Sequence, residues 1–282
     1  MNIELEGKQT LTSYRKISIA SWRHPRDPSI YVMLDLPVDE ALRFMKEQSG
    51  DTPLTLTHFV TKVIAHCLQQ YPQLNHVLRM RNLYQRKDVD IFISTLIKTP
   101  KGKDLSGYVI RQADQKPIDE IAEIMKSRTE DLRRNRDEEN QILQNIVNPT
   151  PSLLMKPLMW VQEFLQFTLN VSFPKLGLTR DRFGSAMITN IGALGIENAF
   201  IPLSPYTRCP LIMGIGKVRQ APMVKEDQVV VGNRVSITFT SDHRYVDGAH
   251  VAHMIRRFKK IFADPGSFPQ VFAGETKETE VH

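Results

Sequence analysis

Residues Arg234 to Pro265 read Arg-Val-Ser-Ile-Thr-Phe-Thr-Ser-Asp-His-Arg-Tyr-Val-Asp-Gly-Ala-His-Val-Ala-His-Met-Ile-Arg-Arg-Phe-Lys-Lys-Ile-Phe-Ala-Asp-Pro. Their change of rhythm marks a strand followed by a helix. Val235, Ile237 and Phe239 alternate with Ser236, Thr238 and Thr240, the period of a half-buried strand. After Gly248 the period lengthens. Val251, Met254, Ile255, Phe258, Ile261 and Phe262 recur at helical spacing and form one apolar stripe. Arg256, Arg257, Lys259 and Lys260 lie off that stripe near the C-terminal end, where cations suit the helix dipole. Asp264-Pro265 stops the helix. The strand-to-helix turn between them carries His243, held from both sides by elements that must pack.

Working outward, the same two periods recur along the chain and mark further strands and helices. Ile30–Leu36 reads as a strand, and Pro37 suits the first turn of a helix reaching about Gln48. Leu56, Phe59, Val60, Val63, Ile64, Cys67, Leu68 and Tyr71 mark one face of a second helix, ended by Pro72. Asp88–Ile97 and the shorter Tyr108–Arg111 read as strands. A third helix opens at Lys116-Pro117. Gly184–Asn190 and Pro210–Val218 are further strands, and Gln228–Val231 with Arg234–Thr240 reads as a hairpin across Gly232-Asn233.

Of 282 residues, 41% are hydrophobic and 24% charged, an ordinary globular balance. The formal net charge of +6 suits a phosphate-bearing ligand such as coenzyme A, or simply a solvated basic surface. No basic run is interleaved with aromatics, which argues against nucleic acid. Cys67 and Cys209 form neither a metal-type nor a redox-type pair, so a reducing compartment is expected. Residues 1–8 are acidic, with no apolar run, and read as a short arm without a signal peptide; the expected location is the cytoplasm.

Asp242-His243-Arg244-Tyr245-Val246-Asp247-Gly248 resembles the Asp-His-Arg-x-x-Asp-Gly signature of the acyltransferase (E2) catalytic domains of 2-oxoacid dehydrogenase complexes. Chloramphenicol acetyltransferases carry a related His-x-x-x-Asp-Gly. Ile188-Thr189-Asn190-Ile191-Gly192 resembles the family's Ser/Thr-Asn-x-Gly, and Arg15-Lys16-Ile17-Ser18-Ile19-Ala20 its Arg-Lys-x-Ile-Ala. The resemblance covers residues 11 to 265. It implies an α/β fold, a chloramphenicol acetyltransferase-like mixed β-sheet with flanking helices. It also implies a homotrimer in which the His of one subunit faces the hydroxyl residue of its neighbour. The expected division is a catalytic domain over 1–270 and a tail over 271–282. No lipoyl or subunit-binding module precedes the matching region, so no covalently bound lipoate is expected in this chain and any lipoyl carrier acts in trans. The expected activity is acyl transfer between coenzyme A, as acyl-CoA, and an acceptor the sequence does not identify. The other reading is a non-catalytic trimeric scaffold that keeps the fold.

The resemblance makes His243 the general base that deprotonates the incoming nucleophile, work for which a near-neutral imidazole is suited. Taken alone, the residue reads equally as a core His satisfied by backbone. Thr189 stands where the family has its hydroxyl, either donating to a developing oxyanion or capping a turn. Asn190 shapes that turn. Asp247 reads as an N-cap of the following helix; the resemblance implies a compatible second role, a structural ion pair with Arg15. Asp242 and Arg244 are assigned to shaping the turn. A rival reading takes His243, His250 and His253 as metal ligands; with no further clear ligand, no metal is expected.

Relative to the family pattern, about 132–183 reads as a helical insertion. Within it, Pro157–Phe173 is apolar except for one narrow polar stripe. It is shorter than a membrane span of about 20 residues. It reads as a helix buried in the fold or at a subunit contact, or else as a lid, an acyl-chain wall or a membrane-surface element.

Overall fold

A computed structural model describes residues 27–80, 82–99, 102–134, 136–174, 179–225 and 227–274. The Arg15–Ala20 block, and with it the expected Arg15–Asp247 pair, lies outside them.

The strands are β1 Ser29–Pro37, β2 His76–Arg79, β3 Asn82–Gln85, β4 Ile91–Thr99, β5 Gly102–Ile110, β6 Ala186–Asn190, β7 Leu211–Ile215, β8 Arg219–Lys225 and β9 Gln228–Asp242. The helices are α1 Asp39–Gln48, α2 Leu56–Gln70, α3 Ile118–Arg133, α4 Glu138–Val147, α5 Ser152–Glu163, α6 Gly248–Ala263 and α7 Pro269–Ala273. Seven strands form one sheet in the order β1-β9-β7-β6-β4-β5, with β8 also paired to β9; β2 and β3 form a separate hairpin. The sheet is mixed: β4, β6 and β7 run parallel, and the remaining pairs are antiparallel. This is the expected α/β architecture.

One face of the sheet carries the core. Val235, Ile237 and Phe239 of β9 are fully buried, and Phe239 meets Phe258 of α6 edge to face at 5.5 Å. Such aromatic pairs add about 0.5–1.5 kcal/mol beyond area burial. Phe59 of α2 then contacts Phe262 and Phe272, tying α2, α6 and α7 together. The sequence pattern assigned α2 one buried face, yet Thr57 through Leu68 are all buried. The reason is its central place, with α1, α3, α6 and α7 around it. Its polar residues are satisfied locally: the ammonium of Lys62 donates to the Ala113 and Asp114 carbonyls at 3.2 and 2.6 Å. Thr55 and His58 form a reciprocal cap at its start.

Two expectations fail on the sheet. The alternation of β9 predicts a half-buried strand, but Ser236, Thr238 and Thr240 are buried too. The stretch between β6 and β7 covers this polar face, and the Thr238 hydroxyl donates to the Ala199 carbonyl at 2.7 Å. Gly216 makes room for this cover, because a Cβ there would collide with the Glu197 carbonyl. The Gly232-Asn233 hairpin is also absent. Those residues lie inside the 15-residue β9, and the hairpin joins β8 to β9, with Lys225 opposite Gln228. Tertiary contacts override the turn dipeptide. The backbone amide and side-chain amide of Asn233 both donate to Asp39, at 3.2 and 2.7 Å, and its carbonyl accepts from the Val38 amide at 2.9 Å.

Within the stretch expected as an insertion, α4 and α5 are followed by a π-turn, Phe164–Thr168. No residue of α5 or the π-turn is buried, so the expectation of a helix buried in the fold is overturned within a single chain. Among the described residues no helix is long and apolar enough to cross a membrane.

Candidate active site

His243 follows the last residue of β9 and is exposed. Four contacts fix its turn. The His243 amide donates to the Pro28 carbonyl at 2.8 Å. The Asp242 carboxylate accepts from the Arg244 amide at 2.9 Å and from Nε and Nη2 of its guanidinium at 3.0 and 2.6 Å. A two-pronged ion pair of this kind sets orientation as well as energy. Tyr245 is buried, and its hydroxyl accepts from the Leu78 amide at 3.2 Å, anchoring the turn to β2. Asp247 caps α6, accepting from the Ala249 and His250 amides at 3.0 and 3.1 Å. Both amides are among those a helix start leaves unpaired. These bonds and the nearby imidazole hold the Asp247 carboxyl below the usual carboxylate range. Asp242, Arg244 and Tyr245 also line a cleft of about 300 Å³. The imidazole thus projects from a backbone clamped on both sides.

Thr189 is half-buried near the end of β6. Asn190 shapes the turn beyond it: its Nδ2 donates to the Thr57 hydroxyl at 3.0 Å and its Oδ1 accepts from the Ala193 amide at 3.1 Å. The registers measure the gap between the two candidate catalytic residues. Thr189 pairs with Gly214, which pairs with Thr238, five residues before His243 on β9. At about 3.3 Å per residue along the strand and about 4.8 Å per strand across, their backbones lie roughly 19 Å apart. One chain therefore does not bring His243 and Thr189 to one reacting carbonyl.

His250 sits 2.8 Å from Asp247 through Nδ1. Among the described residues no three His, Cys, Asp or Glu side chains converge as metal ligands would. Cys67 and Cys209 are buried, and burial pushes their thiols up to about 12 and 11. Sequence reasoning missed Tyr245 and Thr57 as supports of the two turns. Their partners are 167 and 133 residues away, and no local pattern encodes such contacts.

The family model described as 2-oxoacid dehydrogenases acyltransferase (catalytic domain) matches residues 9–145 and 176–268. The dihydrolipoyllysine-residue acetyltransferase component of the pyruvate dehydrogenase complex from Rickettsia felis is 24% identical over 246 residues, covering 84% of this chain and 48% of that protein. The chain spans about half the length of the curated relatives it matches. A probable dihydrolipoamide acetyltransferase from Listeria monocytogenes shares the fold with a TM-score of 0.62 at 15% identity, covering 97% of this chain and 98% of that one. The cubic core of a pyruvate dehydrogenase multienzyme complex does so with a TM-score of 0.64 at 18% identity, covering 93% of each. With its signature turn at the mouth of a mixed sheet and most of its length matched, the chain belongs to the acyltransferase catalytic-domain family of the 2-oxoacid dehydrogenases.

Proposed function

We propose that this domain moves an acyl group between coenzyme A and a thiol acceptor. His243 is the general base and Thr189 of a neighbouring copy the oxyanion donor. The imidazole takes the proton of the incoming thiol, and the thiolate attacks the thioester carbonyl. The tetrahedral intermediate then expels the donor thiolate, which recovers the proton from the imidazolium. No acyl-enzyme forms. The observation that carries this reading is the exposed His243 on a turn clamped by Asp242–Arg244 and the Pro28 carbonyl. The roughly 19 Å within one chain supports a site shared between copies, and the homotrimer implied by the family supplies one. Asp247 and Asn190 hold the two turns in place rather than touching substrate. The relatives' names point to a dihydrolipoyl thiol as the first acceptor to try, presented by a separate carrier.

The test follows acetyl-dihydrolipoamide formation from acetyl-CoA and dihydrolipoamide by chromatography. His243→Ala should slow it by about 10²–10⁴ with the fold intact. Equal rates in the two proteins would leave a scaffold that kept the fold without the chemistry.

A further inference from the structure

A second cavity, of about 420 Å³, opens between the β2–β3 hairpin, the π-turn with the residues after it, and the segment leading into β6. Neither His243 nor Thr189 lines it. Its size suits a small molecule. One wall, which includes Gln166, Phe167 and Ser172, falls between the two stretches matched by the family model. The wall is pinned from several sides. Arg79 donates through Nη2 to the Thr168 carbonyl at 2.8 Å, and Gln166 donates to the Thr179 carbonyl at 3.0 Å. Arg208 pairs with Glu163 and lies 5.6 Å over the Phe167 ring.

The lining is rich in cations: Arg79, Arg86, Lys87, Arg180 and Arg182. Its three carboxylates are already taken. Asp181 pairs with Arg86, Asp88 with Arg180, and Asp90 with Arg111. Arg79 and Lys87 form no ion pair among the described residues. Arg86 is the informative side chain. Only 6% of it is exposed, and its Nε donates to the His76 carbonyl at 3.3 Å. Its Nη2 has no hydrogen-bond partner, and neither has Nε of Arg79. A buried guanidinium nitrogen without an acceptor is costly. The lining thus carries more cations than carboxylates, with Arg79 and Lys87 outside any ion pair among the described residues, and guanidinium donors of this kind suit an oxyanion.

We propose that this cavity is a binding site for a small molecule bearing a carboxylate or phosphate group. The inference stands apart from the acyl-transfer reading, since the cavity excludes both residues assigned to that chemistry. Calorimetric titration of the intact protein at fixed ionic strength, with inorganic phosphate and separately with succinate, tests it. At least one anion should bind saturably at one site per chain, and the tighter of the two names the chemical class. Arg79→Gln should weaken that binding about tenfold or more, Arg79→Lys should restore part of it, and the exposed Lys87→Gln should weaken it less. His243→Ala should bind as the parent does. Displacement of phosphate by coenzyme A would identify the substrate's own phosphates as the occupant; no displacement would identify a separate ligand. If neither anion binds saturably by about 10 mM, or if folded Arg79→Gln and Lys87→Gln both bind as tightly as the parent, the site is overturned.

Discussion

Helices α5 and α6 are both rich in apolar residues, yet they meet opposite fates. α6 buries Val251, Met254, Phe258, Ile261 and Phe262 in the core. α5 buries nothing: Leu153 is 87% exposed and Trp160 64%. Composition does not separate them; periodicity does. The apolar residues of α6 share one stripe, and its cations occupy the rest of the surface. Those of α5 spread around the helix, with Pro157 in its interior, so no single face can turn inward. Their starts differ as well. Asp247 caps α6 through two amides, whereas Pro151 leaves α5 without a side-chain cap. The His243 turn is built against the helix with the deep anchor. The wall of the second cavity that lies outside the family-model match follows the helix without one.

The comparison can be broken in several ways. Phe258→Ala removes a fully buried ring between Phe239 and Phe262 and should cost about 3–5 kcal/mol, measured by urea unfolding. Acid should act next, through two buried histidines of α2, of which His66 meets α6. Burial holds the imidazoles of His58 and His66 down at about 4, and Arg257 of α6, 3.4 Å from His66 Nε2, together with Lys62, adds to the effect on His66. Below the ordinary value of 6.5 the unfolded chain takes up protons that the folded chain refuses. Stability is therefore present in full above 6.5, falls as pH drops towards 4, and levels off below. Unfolding midpoints across that range should flatten in His58→Gln/His66→Gln. Asp247→Ala should lower Tm by a few degrees, with Asp247→Asn recovering most of the loss, since either side-chain oxygen can cap. The smallest effect belongs to α5: Trp160→Ala should change the unfolding free energy by no more than about 0.5 kcal/mol, as for an exposed site. A loss near that of Phe258→Ala would mean that α5 is buried in the working assembly.

Much of this was legible in the sequence where pattern and packing agree. β1, α2, β9 and α6 announce themselves by period, and the His243 turn by its place between the last two, whereas Pro37, read as the first turn of a helix, closes β1 and α1 begins at Asp39. The β2–β3 hairpin was not legible, because its strands have four residues each and β3 is exposed throughout. β8 was masked by Pro222 and by a Gly-Asn pair that belongs to a continuous strand. The separation of His243 from Thr189 depends on register through β7, which neither motif contains. The second cavity joins side chains about a hundred residues apart, such as Arg79 and Arg180, and such convergence leaves no local signal.

The claim on which the account depends is that His243 works with Thr189 of another copy. The direct measurement is complementation: His243→Ala and Thr189→Ala chains, each inactive or nearly so alone, are co-expressed and acyl transfer is assayed in the purified mixture. Mixed assemblies contain interfaces with both residues intact, so activity should return to a substantial fraction of the parent's. Mixed assemblies that form and yet stay as inactive as either variant alone would contradict the shared site.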